Sequence, residues 1–478
     1  MNYRMIRNIL GWLLIFECGF MLVPAVTAII YGEFSQLWAF LATMALCGLI
    51  GGLFVLKKPK NSVLYAKDGF VIVSLSWITL SLFGCLPFVI SGTIPNFVDA
   101  LFETVSGFST TGASILTEVE SLPKCMLMWR SFTHWVGGMG VLVFIMAFVP
   151  LSGGQNMHIM KAESPGPSVS KLVPRVKTTA LILYSIYLVL TFVLFILLLF
   201  GNMNPFEALN TAFATAGTGG FGFRNDSFAS FSPYIQWVVT VFMLLFSVNF
   251  SCYYLLLLGR IKDVFNTELR AFLLMVGGAI LIITLNVRGM FDTLGGAVRH
   301  VSFTVGALVS TTGFATENFD AWPELSRVIL VLLMFVGATA GSTGGGMKVS
   351  RILILVRNAW NQLLSMIFPH RVKRVTMDRR PVDREVIHAT NVYLIWYVLV
   401  FIVSMILLSF DHNDFITNFT ATTACVNNIG PGLGKVGPTG NYAFFSIPSK
   451  LVLIFDMLAG RLELFPVLAL FVPATWKK

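Results

Sequence analysis

The chain has 478 residues and a mean hydropathy of +0.79; 56% are hydrophobic, 12% are charged, and 43 Phe stand against 23 Asp plus Glu. So few charges cannot solvate the surface of a soluble enzyme of this size, which excludes soluble catalytic folds and reads as a protein of the lipid bilayer. The net charge of +10 does not imply nucleic acid, because the positive residues lie in loops between apolar runs.

In chain order, Arg4 and Arg7 precede an apolar run to about residue 30, and a second run follows at once. This favours an uncleaved helical hairpin over a secretory signal. Runs of about 18 or more apolar residues predict ten crossings, near 9–31, 36–56, 69–91, 125–150, 178–200, 234–258, 269–287, 325–357, 388–410 and 450–472. Of 33 Lys and Arg, 24 fall on the side of the N-terminus and 8 on the other, with Arg461 alone inside a span. Both termini are therefore expected in the cytoplasm. Acidic residues run the other way, 13 outside against 7 inside, so the outer face is expected to attract cations. The six cysteines are scattered singly and read as packing residues.

Between alternate crossings, on the outer side, lie four apolar segments too short to span, near 96–109, 204–216, 297–310 and 414–427. Each runs into a glycine-bearing turn: Ser109-Thr110-Thr111-Gly112, Ala216-Gly217-Thr218-Gly219, Ser310-Thr311-Thr312-Gly313 and Asn427-Asn428-Ile429-Gly430. The last glycines are 107, 94 and 117 residues apart, an internal repeat of helix, half-helix, turn and helix used four times. The predicted fold is an all-α polytopic membrane protein with four pseudo-symmetric repeats around a central pore. The units are an N-terminal hairpin over 1–60 and repeats over 61–160, 161–265, 266–370 and 371–478.

Irregular backbone at membrane depth is tolerated only where protein or a water-filled cavity covers it, so four such turns converging on one axis suggest a pore. Rings of backbone carbonyls can replace an ion's hydration shell, and glycine can turn its carbonyl to the axis at positive φ. The turns hold no carboxylate, which favours a monovalent cation over Mg²⁺ or Ca²⁺. The candidate filter residues are Thr110, Thr111, Gly112, Gly217, Thr218, Gly219, Thr311, Thr312, Gly313, Asn428, Ile429 and Gly430.

These four turns, and the extra N-terminal hairpin, make the chain similar to the TrkH members of the bacterial Trk/Ktr/HKT superfamily of potassium translocators. The resemblance implies K⁺ as the transported ion bound at the filter residues, a bacterial inner membrane location, a homodimer, and a cytosolic nucleotide-binding ring, TrkA. The basic segment 348–384, with Arg371, Lys373, Arg374, Arg379 and Arg380, is a candidate docking surface, although positive-inside topology also accounts for it. A secondary transporter coupled to H⁺ or Na⁺ is the alternative, but its repeats would have inverted topologies, whereas these four all start inside.

The eighth crossing is interrupted by Gly337-Ala-Thr-Ala-Gly341-Ser342-Thr343-Gly344-Gly345-Gly346-Met347-Lys348. At about 1 kcal/mol per glycine relative to alanine, this cannot be helix interior, and it predicts a flexible loop below the filter. In the family, the matching segment resembles an intramembrane gating loop. Arg461, counted to the depth of Gly344, is expected either to donate to loop carbonyls or to pair with Glu463 or Asp456. His134 has no evident catalytic partner and reads as a packing or interfacial residue.

Overall fold

A computed structural model describes residues 1–56, 64–140, 176–368 and 374–476. Two helical stretches, Tyr3–Tyr31 and Phe34–Leu56, form the N-terminal hairpin, turning at Gly32 with φ 72°. They cross closely at two glycines: a Cβ on Gly11 would lie 2.9 Å from the Gly51 carbonyl, and one on Gly51 would lie 2.8 Å from that of Gly11. Small residues permit such backbone approach between membrane helices.

Four repeats follow. Their first helices are the stretch Ala66–Ile90 and the helices Val176–Phe200, Thr267–Val287 and Arg384–Leu408. Their short helices, Phe97–Phe108, Pro205–Ala216, Leu294–Val309 and Phe415–Val426, are each capped by a side chain, of Asn96, Asn204, Thr293 and Asp414 respectively. These caps hold the outer ends by accepting orphan N–H groups, and the opposite, partly negative ends lead into the turns.

The second helices differ from expectation. Among the described residues six helical stretches are long and apolar enough to cross a membrane, or seven counting one bent pair. Of the ten expected crossings, the eighth carries the interruption that its glycines predict, whereas the sixth and tenth are broken where continuous spans are expected. The sixth is broken at 247–249 and bent by 91° between Pro233–Phe246 and Phe250–Leu257. The eighth divides into Glu324–Val336 and Val349–Ile367. The tenth stops at Arg461 and resumes at Phe465–Leu470 after Glu463 and Leu464, both at positive φ. The fourth runs over Lys124–Gly138 and turns at Gly140, with φ 82°; the rest of its predicted span lies outside the described residues. Apolar composition hid the interruptions of the sixth and tenth crossings, because residues such as Ser247 and Leu464 are buried.

Tyr3 Oη donates to Trp476 O at 2.9 Å, and Asn2 N donates to Asp68 Oδ1 at 3.2 Å. Both termini thus meet at the end of the bundle where the first repeat starts. At the opposite end the Glu33 carboxylate accepts from Lys124 N at 2.6 Å and Cys125 N at 2.8 Å. The hairpin thereby caps the second helix of repeat one in trans. Glu33→Ala should destabilise the protein by about 1 kcal/mol, whereas Glu33→Gln keeps an acceptor and should lose less. Thermal unfolding of the two variants measures this, and equal midpoints for wild type and Ala would rule the cap out as a stabilising contact.

Candidate functional site

All four short helices end in the same motif. Thr110, Thr218, Thr311 and Asn428 lie in the left-handed region at φ 55°, 53°, 61° and 56°. In repeat one, Thr110 N donates to Gly107 O and Thr111 N to Ser106 O; in repeat two, Thr218 N donates to Thr215 O and Gly219 N to Ala214 O. Repeats three and four follow with Thr311 to Leu308, Thr312 to Ala307, Asn428 to Cys425 and Ile429 to Ala424. This is a Schellman ending, in which glycine usually occupies the left-handed position. Here a side-chained residue takes it four times, at a cost on the order of 1–2 kcal/mol each. Repeated strain at corresponding positions persists only where surroundings over-determine it, and it concentrates at functional sites.

The motif sets the register of the strands that follow. Two residues after each left-handed position stands a glycine at positive φ: Gly112 (78°), Gly220 (86°), Gly313 (78°) and Gly430 (92°). The sequence-derived register of repeat two is therefore corrected by one residue. Gly220 is the counterpart of Gly112, Gly219 of Thr111, and Gly217 of Ser109 at the helix cap. A Cβ on Gly112 would strike the carbonyl of Gly219, one on Gly220 that of Thr312, one on Gly313 that of Ile429, and one on Gly430 would approach that of Thr111 at 2.7 Å. The contacts close a ring through repeats one, two, three, four and back to one. No side chain larger than hydrogen fits where each strand meets the next.

The strands are braced in three ways. Ser109 Oγ bonds Thr111 Oγ1 and Ser310 Oγ bonds Thr312 Oγ1, both at 2.7 Å. Asn428 Nδ2 spans from strand four to Thr111 Oγ1 at 3.0 Å and to Met457 O at 2.8 Å. Strand two has His134, whose Nδ1 lies 2.8 Å from Gly107 O and whose Nε2 accepts from Phe221 N at 3.1 Å. Because Gly107 O can only accept, the imidazole is the neutral Nδ1–H tautomer. It is a strut between the first short helix and the second strand, a role the sequence reading missed.

The mouth of the ring on the side away from the termini is a cavity of about 190 Å³ bordered by the four positive-φ glycines, Arg130 and Arg224. No carboxylate lines it among the described residues. Glu103 is instead buried behind strand one, paired with Arg130 Nε at 2.8 Å and accepting from Ile115 N at 3.0 Å. Arg130 also donates to Gly222 O at 3.1 Å, so one buried ion pair joins strands one and two.

Below the strands, the segment 337–348 is nearly all buried and densely bonded, which corrects the expectation of a flexible, poorly packed loop. Gly341 O accepts from Phe250 N at 3.0 Å, Ser342 Oγ donates to Thr339 O at 2.6 Å, and Thr343 Oγ1 donates to Phe246 O at 3.1 Å. Gly345 N donates to Thr311 Oγ1 at 2.6 Å and Gly346 N to Asn427 O at 3.1 Å, hanging the loop from strands three and four. Lys348 Nζ, also buried, donates to Gly344 O.

Arg461 donates to Thr343 O at 2.8 Å, to Gly137 O at 2.5 Å and to Gly138 O at 2.7 Å. It thus ties the loop to the end of the second helix of repeat one. Of the ion-pair partners anticipated for it, Asp456 accepts from Ser404 Oγ at 2.7 Å and Glu463 pairs with Arg351. Gly137, Gly138, Phe246 and Ser247 were absent from the sequence-derived site. Gly220 could have been found by aligning Thr-x-Gly and Asn-x-Gly through all four turns.

Four helix, short helix, strand and helix units closing one ring define a polytopic membrane transporter with a central pore. The chain belongs to the TrkH family of cation transport proteins, which matches residues 36–478; the family's activity is transport, not catalysis. It is 35% identical to the Trk system potassium uptake protein TrkH of Escherichia coli (strain K12), over 100% of both chains. It is 30% identical to TrkI of Halomonas elongata over 86% of this chain and 84% of the relative. The crystal structure of the potassium transporter TrkH from Vibrio parahaemolyticus superposes with a TM-score of 0.89 at 32% identity, covering all of both chains.

The two glycines of strand two are required for different reasons, and a double substitution separates them. A Cβ on Gly219 would enter the His134 ring, whereas one on Gly220 would strike backbone. His134→Ala should therefore partly rescue ⁸⁶Rb⁺ uptake by Gly219→Ala but not by Gly220→Ala. Equal rescue of both, at equal membrane abundance, would contradict the corrected register.

Proposed function

We propose that this protein takes up potassium ions across a bacterial inner membrane through the four-stranded ring, with both termini in the cytoplasm. The observation that carries the reading is the cyclic contact of Gly112, Gly220, Gly313 and Gly430 with the carbonyls of Gly219, Thr312, Ile429 and Thr111. Four equivalent backbone segments around one axis can supply successive oxygen layers to a dehydrated cation. Without carboxylates in the strands, the cage suits a monovalent ion. The names of the relatives above, potassium uptake proteins and a potassium transporter, support potassium as that ion.

The segment 341–346, with Lys348 and Arg461, is the gate in this reading. It lies directly under the ring, hydrogen-bonded to Thr311 and Asn427, and adds positive charge to the path below. Opening requires its bonds to break or move together. A TrkA-type nucleotide-binding ring would act on it from the cytoplasm through the basic face of 348–384. Of that face, Arg374, Arg379 and Arg380 are exposed, while 371 and 373 lie outside the described residues. The family resemblance supports a homodimer.

The test is ⁸⁶Rb⁺ flux into liposomes holding the purified chain, with competing Na⁺ and with opposing Na⁺ or proton gradients. Uptake that K⁺ suppresses and Na⁺ does not supports the potassium pore; uptake that follows an imposed Na⁺ or proton gradient favours a coupled transporter. Gly220→Ser and Gly313→Ser should both lower discrimination between K⁺ and Na⁺, since a side chain cannot occupy the strand contact.

Arg461 provides a separate test of the gate. A hydrogen bond from a charged donor contributes about 1.5–3 kcal/mol, so losing its contacts should shift a closed-to-open equilibrium about ten-fold or more. Arg461→Ala should leak without a cytosolic partner. Arg461→Lys, which keeps the charge but loses the planar fork, should leak less. Normal single-channel open probability in both variants would remove Arg461 from the gate.

A further inference from the structure

A cavity of about 410 Å³ opens beside the loop at the end of the molecule that we assign to the cytoplasm. Ala340 and Ser350, which flank the loop, form one wall, and Glu268, in the first turn of Thr267–Val287, lies at its base. Glu268 is 9% exposed. Its Oε1 accepts from Ala340 N at 2.8 Å and from Ser350 N at 3.0 Å, so one oxygen holds both feet of the loop. Oε2 accepts no hydrogen bond from any described residue. Ser350, 6% exposed, has a buried hydroxyl with no hydrogen-bond partner among the described residues. The Ser350 hydroxyl, beside the Glu268 carboxylate, is thus left without a well-formed hydrogen bond, a costly arrangement away from water.

The remaining walls define what would satisfy these groups. Leu255, Ile354, Met377 and Val386 give the sides an apolar stretch, interspersed with the neutral polar Asn249, Ser251 and Asn266. At the rim stand two further carboxylates, Asp378 and Asp383, against one cation, Arg380. The volume exceeds ten times the roughly 30 Å³ share of a water molecule, so a bare inorganic ion would be held loosely. A ligand with an aliphatic body and an ammonium group at each end matches acid at the base, hydrocarbon between and acid at the mouth. We propose that this cavity binds a linear aliphatic diamine, one ammonium on Glu268 Oε2 and Ser350 Oγ, the other at the Asp378 and Asp383 rim. Because Glu268 also fixes both feet of the loop, occupancy stabilises the loop as seen here and lowers flux. The inference stands apart from which ion the ring conducts.

The test uses the full chain in nanodiscs at constant ionic strength, titrated with putrescine and cadaverine by calorimetry. Saturable binding is expected, with butylamine weaker because it lacks the second ammonium, and with equimolar KCl unable to displace the diamine. Glu268→Gln keeps an amide oxygen for Ala340 N and Ser350 N but removes the charge; it should bind at least ~ten-fold more weakly at an unchanged melting midpoint. Val386→Trp fills the cavity without touching Glu268 and should abolish binding. Diamine added at the cytoplasmic face should reduce ⁸⁶Rb⁺ flux through wild type and not through Val386→Trp. Absence of saturable binding, displacement by equimolar KCl, or wild-type affinity in Val386→Trp would each overturn the proposal, the last even where Glu268→Gln does not fold.

Discussion

The constraint on which the molecule rests is that backbone inside a bilayer must find its hydrogen bonds within the protein. A long helix satisfies that rule by itself; a strand or a glycine loop does not. Each repeat breaks the rule twice, once at the turn after its short helix and once in its second helix. The broken pieces answer one another. Asn427 O, at the end of the fourth short helix, takes Gly346 N of the loop, and Phe246 O and Ser247 O at the second break take Thr343 and Thr339. The pore strands, the breaks and the loop are therefore one hydrogen-bonded unit, not separate features on a helical scaffold.

This interdependence gives the loop its character. A glycine-rich segment suggests freedom, and in isolation these residues would have it. In the fold the small side chains do the opposite, letting backbones approach until they bond. A Cβ on Gly344 would lie 2.7 Å from Ser310 O, and one on Gly337 would lie 2.7 Å from Gly346 Cα. Glycine thus serves as a packing device under the strands, and mobility has to come from cooperative rupture of named bonds. A device of this kind has discrete states, as a close-packed interior prefers.

Much of this was legible in the sequence because it follows from local chemistry. The short helices were expected at 96–109, 204–216, 297–310 and 414–427, and they form over Phe97–Phe108, Pro205–Ala216, Leu294–Val309 and Phe415–Val426. Their apolar lengths, capping residues and terminal glycines all act within about fifteen residues of chain. The register of strand two was not legible from one turn, because Gly217, Gly219 and Gly220 are equivalent until the position of the left-handed Thr218 is known. The break in the sixth crossing and the early helix ends in the fourth and tenth were hidden for another reason. The carbonyls of Ser247 and Gly138 are met instead by Thr339 and Arg461, 92 and 323 residues away, and no local signal encodes that. His134 belongs to the same class: its meaning lies in Gly107 and Phe221, 27 and 87 residues away.

Four repeats with one backbone motif and three kinds of brace also explain how a symmetric ring can carry an asymmetric loop beneath it. The ring requires only that each glycine meet the next strand, a condition on backbone that all four repeats satisfy. The side chains behind the ring are free to diverge, and they do: hydroxyl pairs behind strands one and three, an imidazole behind two, a carboxamide behind four. The same division holds below. The second helices of repeats two and four break over a few residues, whereas that of repeat three inserts residues 337–348 between its halves. The shorter breaks then expose carbonyls and amides, which a continuous helix would have consumed in its own ladder. Arg461 sits at one of these breaks and reaches the carbonyls of Gly137 and Gly138, together with the loop. An intramembrane arginine is costly unless its donors are met, and here the broken helices supply the acceptors. The charge and the loop thus stabilise each other through the same interrupted backbone, which couples the loop's position to three repeats at once.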